Sequence, residues 1–545
     1  MLKKAISIVA SFSVLCLSAY TKDGVPMASF ADDLYQEDSI YAIERAGALP
    51  EGDAYKDLEF YGGEAEINNI NGASTRALPS FVDLSTSPCF PPLGNQGNSG
   101  ACVAFATTYY QFSYEVNRIN GVTSPDDRVV YSPKWTYNSI NLGVDNGSYM
   151  TDAYTILSNF GALKSADLPF NSNYQWIPGN TNLNSDEMIE ERMEALETRV
   201  STFYSYSLPS TGTFIDNPND SDLFTIKNLL NLGKVLTITT PITYNYKNGV
   251  DRNNSTIKVN YRCRGGGGHA MTVVGYDDNV WCDVNDNGVA EDCEKGAFKI
   301  ANSYGTSGAS NDTNGFKWVL YDALNEDSAN NINNWESYLS GTRVQALRYE
   351  TSSPTFWYIS VSKNDVHYVG EIEIDTSSNE LSDYQFRFGR STRGSNNPSY
   401  ANFNMLPATL GAGTYKGKIL FDYDYFCSPI SSYYNGYDWY VKFTEFATPY
   451  TFNFKVVDSL ENVISGYGTS NANHTKSVNI GIKHGDLDYN SMITPTDSDM
   501  ILLYIAGEIE LSNLQYALAD FNRNGEVTMA DAAAILQYIG QGGMK

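Results

Sequence analysis

The sequence predicts a multidomain chain, in which a mixed α+β unit is followed by an all-β, sandwich-like region and then by a small helical module. Three patterns carry this reading. From Leu78-Pro79 to about Leu347, apolar stripes at helical spacing alternate with buried-strand runs such as Val235-Leu236-Thr237-Ile238. From about 352 to 480 the helical stripes stop and period-two aromatic strands take over: Phe356 to Val361, Tyr384 to Phe388, Lys418 to Phe421 and Thr451 to Val456. The last sixty residues repeat with an offset of 34, since Asp486, Asp488, Asn490 and Asp497 match Asp520, Asn522, Asn524 and Asp531, and Ile501-Leu502 matches Ile535-Leu536.

Each element can be taken in order. Lys3 and Lys4, an apolar stretch from Ala5 to Ala19 and small residues at Ala19 and Ala31 read as a secretory signal over 1–31, so the chain is expected to be exported. Cys16 as a lipid anchor fits less well, because Leu15 is a poor residue to precede a lipidated cysteine. No other stretch approaches the roughly 20 apolar residues of a transmembrane span. Residues 32–77 are polar and acidic, with a short periodic patch around Leu34, Tyr35, Ile40, Tyr41 and Ile43. The mixed unit is placed at 78–350, the β region with its linker at 351–480, and the repeat module at 481–545. Gly466 to Asn473 reads as a turn-rich boundary.

The 545 residues carry a net charge of −27. Such a surface has nothing to neutralise phosphates, which excludes a nucleic-acid partner, and suits calcium loops. Seven cysteines, Cys16 included, are too few for a disulfide framework.

The chemistry begins at Cys102. Phe105, Tyr109, Phe112 and Val116 follow it at steps of four, three and four, one face of a helix ending near Asn120-Gly121. Cys102 therefore sits at a helix N-terminus, where the macrodipole favours thiolate. A cysteine nucleophile needs a base, and the first 350 residues hold one histidine, His269, after a run of four glycines and before an apolar strand. Gln96 could join the Cys102 backbone N–H in an oxyanion hole, and Asn302 could hold the imidazole in the useful tautomer.

These segments resemble the papain-like cysteine peptidases, whose signatures are a Gln-Gly segment ending in Cys, a Gly-His-Ala strand start and an Asn-Ser-aromatic-Gly turn. The resemblance extends over about 78 to 325, taking in Tyr131-Ser132-Pro133, Gly161-Ala162, Gly233-Lys234-Val235 and Gly315-Phe316-Lys317-Trp318. It implies a helical lobe beside a β-barrel-like lobe, and a hydrolase that cleaves peptide bonds with Cys102, His269, Asn302 and Gln96. It also gives 32–77 the position of an inhibitory propeptide. Ser99 stands where many members have a bridged cysteine, and Val103 replaces the usual Trp after the nucleophile. Tyr304 replaces the Trp that covers the His–Asn hydrogen bond, which would leave that bond wetter.

Between His269 and Asn302 lies Asp283 to Glu294, which fits the calcium-loop pattern with ligands at Asp283, Asn285, Asn287 and Glu294 and the sharp turn at Gly288. The bland reading is a solvated acidic turn. Cys282 and Cys293 flank it and read equally as a clasp or as free thiols. Cys89, Cys263 and Cys427 have no partner that the sequence nominates, a Cys89–Cys263 bridge being a bare guess.

Each terminal repeat offers oxygen ligands at loop positions one, three, five and twelve and leads into a helix, a spacing that suits calcium. The pair resembles a type I-like dockerin, which implies a cohesin on a scaffoldin as partner. A cellulosome-type, polysaccharide-degrading assembly is the implied setting. Ser491 stands where glycine would make the first loop's turn, and Pro495-Thr496 and Met529-Ala530 occupy the partner-reading positions. Trp357, Tyr358, Tyr425, Tyr433, Tyr434, Trp439 and Tyr440 could form a carbohydrate-stacking platform in the β region, or its core and sheet surface. The rival to a scaffold-bound peptidase is a catalytically impaired adhesion or inhibitory protein on the same fold.

Overall fold

The computed structural model of the chain describes residues 47–49, 62, 77–141, 144–171, 188–207, 221–284, 286–324, 355–376, 385–392, 399–402, 415–422, 437–444, 450–460, 462–470, 474–480, 483–490 and 492–543. The proposed signal and most of 32–77 lie outside them. Among the described residues, no helix is long and apolar enough to cross a membrane.

The helix expected from Cys102 is one continuous run, here α1, made of an α-turn Cys102–Ala104, a π-helical stretch Phe105–Phe112 and an α-helix Ser113–Ile119. It packs with α2 (Pro133–Ile140) and α3 (Met150–Phe160). Its buried polar residues fasten it to the neighbouring sheet. Gln111 Nε2 donates to the carbonyls of Val235 at 3.0 Å and Trp357 at 2.9 Å, while Gln111 Oε1 accepts from the Tyr154 hydroxyl at 2.9 Å. Such satisfied buried groups fix the angle of helix on sheet more tightly than apolar contact alone.

That sheet has seven strands among the described residues. Its path is β2 (Thr198–Ser207), β7 (Thr355–Lys363), β3 (Leu236–Val250), β4 (Thr256–Trp281), β5 (Lys295–Ala301) and β6 (Phe316–Leu320), with β1 (Phe81–Asp83) also pairing with β4. Helices α4 (Ile189–Glu197) and α5 (Ser221–Asn231) precede β2 and β3. β3 lies along β4 from Leu236 opposite Val273 to Val250 opposite Thr256, which brings the start of β3 beside the segment after His269.

Strand β7 departs from the sequence reading. Its aromatic alternation suggested the first strand of the all-β region, yet it pairs with β2 and β3 of the mixed sheet. Phe356, Trp357, Tyr358 and Ile359 are all buried there. Period two reports strand state, not sheet membership, so the pattern alone could not separate the two sheets. Burial also removes Trp357 and Tyr358 from any carbohydrate platform. Trp439 and Tyr440 fall on β12, and Tyr425, Tyr433 and Tyr434 lie outside the described residues.

Among the described residues, the β region proper holds two four-stranded antiparallel sheets. One has the order β10 (Ser399–Asn402), β9 (Gln385–Thr392), β12 (Tyr437–Thr444), β15 (His474–Ile480), and the other β11 (Tyr415–Asp422), β8 (Val369–Thr376), β13 (Tyr450–Val457), β14 (Val463–Ser470). The expected boundary at Gly466 is thus partly strand. Gly466 and Gly468 sit opposite Lys455 and Asn453, so the ladder overrides the turn propensity of these glycines. Ile189, Met193 and Leu196 of α4 pack on Val366, Val369, Leu420 and Val457, which seats this region on the mixed unit.

The C-terminal repeat contains α6 (Pro495–Ile505), α7 (Asn513–Ala519) and α8 (Met529–Gly540), with α6 packed on α8. The Tyr489 hydroxyl donates to Asp458 at 2.6 Å and the Asn513 N–H to Ser459 Oγ at 2.9 Å, joining the module to the turn after β13.

Candidate active site

Cys102 opens α1 and is 0 % exposed. The backbone amides of Ala270, Val103, Gly47 and Cys102 itself all act on its sulfur, so the residue after His269 is a direct neighbour. Burial nevertheless dominates and pushes the thiol up to about 11, with those amides only opposing it. His269, also 0 % exposed, lies on β4. Burial lowers it to about 4; the Asn302 hydrogen bond and Asp312 oppose this, while Lys317 adds to it. Burial thus favours the neutral form of both groups, a thiol at Cys102 and an imidazole at His269.

The orienting contact is present. His269 Nε2 lies 2.8 Å from Asn302 Oδ1, and His269 Nδ1 is buried without a hydrogen-bond partner among the described residues. Tyr304 stacks on the imidazole at 5.5 Å between centroids and 15° between planes. The expected wetting of the His–Asn bond is not found, since His269 and Asn302 are both 0 % exposed under this smaller cover.

Two loops are clamped together to place Gln96 and Asn302. The Gln96 N–H donates to Ser303 O at 2.8 Å, and the Gly305 N–H to Gly94 O at 2.8 Å. Gln96 Oε1 accepts from the Ser303 hydroxyl, and Gln96 Nε2 donates to Ser99 O at 2.7 Å. Its amide is thereby oriented with the donor end toward the segment that leads into Cys102. The Tyr110 hydroxyl donates to Asn302 O at 2.7 Å, tying the same loop to α1.

Sequence reasoning missed two groups behind Asn302. Asn302 Nδ2 donates to Asp312 Oδ2 at 2.8 Å, and Asp312 Oδ1 is paired with Lys317 Nζ at 2.9 Å, both side chains 0 % exposed. Their only sequence signal was a lysine in an otherwise apolar strand and an Asp in a turn, neither of which names a partner.

Residues 47–49 cross this site. Gly47 and Ala48 donate from their amides to Gly268 O at 3.0 and 2.9 Å, Leu49 donates to Ser148 O at 3.0 Å, and Ser148 donates to Gly47 O at 2.8 Å. The approach is close enough to require glycine: a Cβ on Gly47 would lie 2.2 Å from Gly100 O, and one on Gly147 2.2 Å from Gly47 O. Ala48 is 2 % exposed and belongs to the same buried cluster as Cys102 and Ala270.

The insertion loop shares hydrogen-bond wiring with the C-terminal loops. Asp283 accepts from the amides of Asn287 and Gly288 at 3.1 and 2.8 Å, as Asp520 accepts from Asn524 and Gly525 at 2.9 and 2.8 Å. Glu294 accepts from the Val284 N–H at 2.7 Å, as Asp497 accepts from Leu487 at 2.6 Å. Asn285 and Ser491 lie outside the described residues. Cys282 and Cys89 carry free thiols, so neither takes part in the bridges considered above.

In the first C-terminal loop, oxygens of Asp486, Asp488 and Asp497 lie within 4.8 Å of one another, with Asp486 and Asp497 fully buried. Three carboxylates this close repel unless a cation joins them, and hard oxygens suit calcium. Asp497 and Asp531 also cap α6 and α8 through Thr494 and Thr528, so the twelfth position serves loop and helix together.

Comparison with solved structures finds similarity to papain-like cysteine proteases. Xylellain, a cysteine protease from Xylella fastidiosa, is 19% identical, with 58% of this chain and 98% of that one covered at a TM-score of 0.33. Digestive procathepsin L2 proteinase from Tenebrio molitor larval midgut is 14% identical, with 58% and 78% covered and a TM-score of 0.35. Procathepsin B S9 from Trypanosoma congolense is 14% identical, with 59% and 84% covered and a TM-score of 0.33. No curated protein sequence matches the chain. Residues 484–540 match the model of the Dockerin type I domain, a domain that binds calcium and implies a cohesin partner. On the duplicated loops and this match, residues 484–540 of the chain are a dockerin type I domain.

Proposed function

We propose that the chain is an exported, latent cysteine endopeptidase that a C-terminal dockerin attaches to a cohesin-bearing scaffoldin. The observation that carries this reading is the His269–Asn302 contact at 2.8 Å, which leaves Nδ1 without a partner among the described residues, while the amide of the next residue, Ala270, acts on the Cys102 sulfur. In the reaction, Cys102 gives its proton to His269 Nδ1, and the thiolate attacks a peptide carbonyl. The oxyanion is bound by the Cys102 N–H and Gln96 Nε2, and imidazolium returns the proton to the leaving amine. Water activated by His269 then hydrolyses the thioester and frees the thiol.

The crossing strand at 47–49 supports latency. It occupies the groove beside Gly268 and Ser148 with main-chain bonds and dries the catalytic pair. Residues 1–31 would be the signal, 32–77 the propeptide, and the peptidase domain would run from 78 through β7, with the helices and the seven-stranded sheet as its two lobes. The two four-stranded sheets would form the sandwich between peptidase and dockerin.

Calcium would be held by Asp486, Asp488, Asn490 and Asp497 in one dockerin loop and by Asp520, Asn522, Asn524 and Asp531 in the other. The insertion loop, through Asp283, Asn285, Asn287 and Glu294, would hold a third. In each case the ion would neutralise carboxylates and stiffen the loop.

Peptide hydrolysis by the chain freed of residues 1–77, compared with its Cys102→Ala variant, tests the enzyme. Pull-down by cohesins with and without a chelator tests the docking.

A further inference from the structure

The Asn302 amide is held from its far side by a charge pair that solvent does not reach. Asn302 Nδ2 donates to Asp312 Oδ2 at 2.8 Å, and the Ala309 N–H donates to the same oxygen at 2.9 Å. Asp312 Oδ1 pairs with Lys317 Nζ at 2.9 Å, and Lys317 Nζ donates to Asn311 Oδ1 at 2.6 Å. Fully buried ion pairs are a poor source of stability, because desolvation offsets their attraction. Conformational specificity is the better-attested use of such a pair, and here it holds the side chain of Asn302 in the catalytic set.

A side-chain amide can turn over, and its two ends have opposite hydrogen-bonding character. A carboxylate only accepts, so against Asp312 only the Nδ2 end of Asn302 is compatible. Oδ1 is then turned to His269, and as an acceptor it requires the proton to sit on His269 Nε2. The lone pair of the neutral imidazole falls on Nδ1, the buried nitrogen without a partner among the described residues. Lys317 supplies the counter-charge that lets a carboxylate stand in this dry position.

We propose that Asp312 and Lys317 are a positioning pair, locking the Asn302 amide and through it the His269 tautomer whose Nδ1 can take the Cys102 proton. The catalytic consequence rests on the cysteine-peptidase reading, whereas the tautomer lock does not.

Asp312→Asn alone would strand the Lys317 charge in the core and is expected to unfold the domain. The test therefore uses Asp312→Asn together with Lys317→Met, which removes both charges at similar volume. In the full-length Cys102→Ala chain, labelled with ¹⁵N-histidine at pH 7.5, the four histidines are resolved and His269 is assigned by its loss in His269→Gln. With the pair intact, Nε2 is expected to resonate as the protonated nitrogen and Nδ1 as the bare one. In the double variant both should shift toward their mean as the tautomers mix. In the processed chain with Cys102 restored, kcat should fall about tenfold or more with KM nearly unchanged. A folded double variant with unmoved His269 shifts overturns the positioning role, whatever the kinetics. A locked tautomer in a wild-type chain that hydrolyses no peptide would instead overturn the peptidase reading and leave the lock standing.

Discussion

His269 Nε2 meets Asn302 Oδ1 at 2.8 Å with neither residue exposed, and the next residue along each chain segment reaches the rest of the site. Ala270 presents its amide to the Cys102 sulfur, and Ser303 donates its hydroxyl to Gln96. The four side chains named from the sequence are thus linked by adjacent residues on a strand, a helix and two clamped loops.

Asn302→Ala removes the acceptor that orients the imidazole. We expect kcat of the processed enzyme to fall by about 10- to 1000-fold with little change in KM, since substrate contacts are untouched. Gln96→Ala removes the proposed oxyanion donor and is expected to lower kcat by about 100-fold. Steady-state kinetics on a fluorogenic peptide checks both, and a pure KM effect in either would contradict the assigned role.

Thiol alkylation should report the cover. Burial pushes Cys102 up to about 11 in the covered chain, so its thiolate fraction is minute at neutral pH and grows about tenfold per pH unit until that value. The unprocessed chain should therefore react slowly with iodoacetamide at Cys102, speeding up only in strong alkali, whereas the processed chain reacts readily near pH 7. Peptide mapping of the labelled cysteine across pH separates the two. Equal neutral-pH rates before and after processing would argue against residues 47–49 as the cover.

Gly47→Val tests the same strand from the other side. A Cβ there would lie 2.2 Å from the Gly100 carbonyl oxygen, a backbone atom rather than the end of a flexible side chain. The variant should lose the hydrogen bonds to Gly268 and Ser148 and show peptidase activity in the full-length chain several-fold above wild type. Unchanged latency would mean that other parts of the N-terminal segment seal the site.

Chelation should act on the C-terminal module first. Withdrawing calcium leaves Asp486, Asp488 and Asp497 in mutual repulsion, and ligand at about 100 times its Kd contributes about 2.7 kcal/mol to stability. A chelator should lower the dockerin's melting temperature and abolish cohesin capture. Asp497→Ala should do the same, with an added loss from the α6 cap. Peptide hydrolysis by the processed chain should survive Asp497→Ala.

The sequence made legible what local periodicity and residue chemistry determine. The helix from Cys102, the isolated histidine and the duplicated loops are all short-range signals, though Phe105–Phe112 of that helix is π-helical and buried nearly all round rather than on the one face expected. Sheet membership was not legible, because Phe356 to Val361 alternate in the same way on either sheet. Their place beside β2 and β3 is decided by contacts with residues such as Phe203 and Val200, far away in sequence. Asp312 and Lys317 were equally hidden, since a buried ion pair has no spacing rule and becomes visible only when a loop and a strand meet. The crossing of Gly47 over Gly268 could be guessed by position alone, with no motif to mark it.

Release of product from a fluorogenic peptide by the chain lacking residues 1–77, measured beside its Cys102→Ala and His269→Ala variants, bears most directly on the central claim. We predict turnover in wild type and none above background in either variant, while all three still bind cohesin in calcium. Equal rates in wild type and Cys102→Ala would contradict the claim.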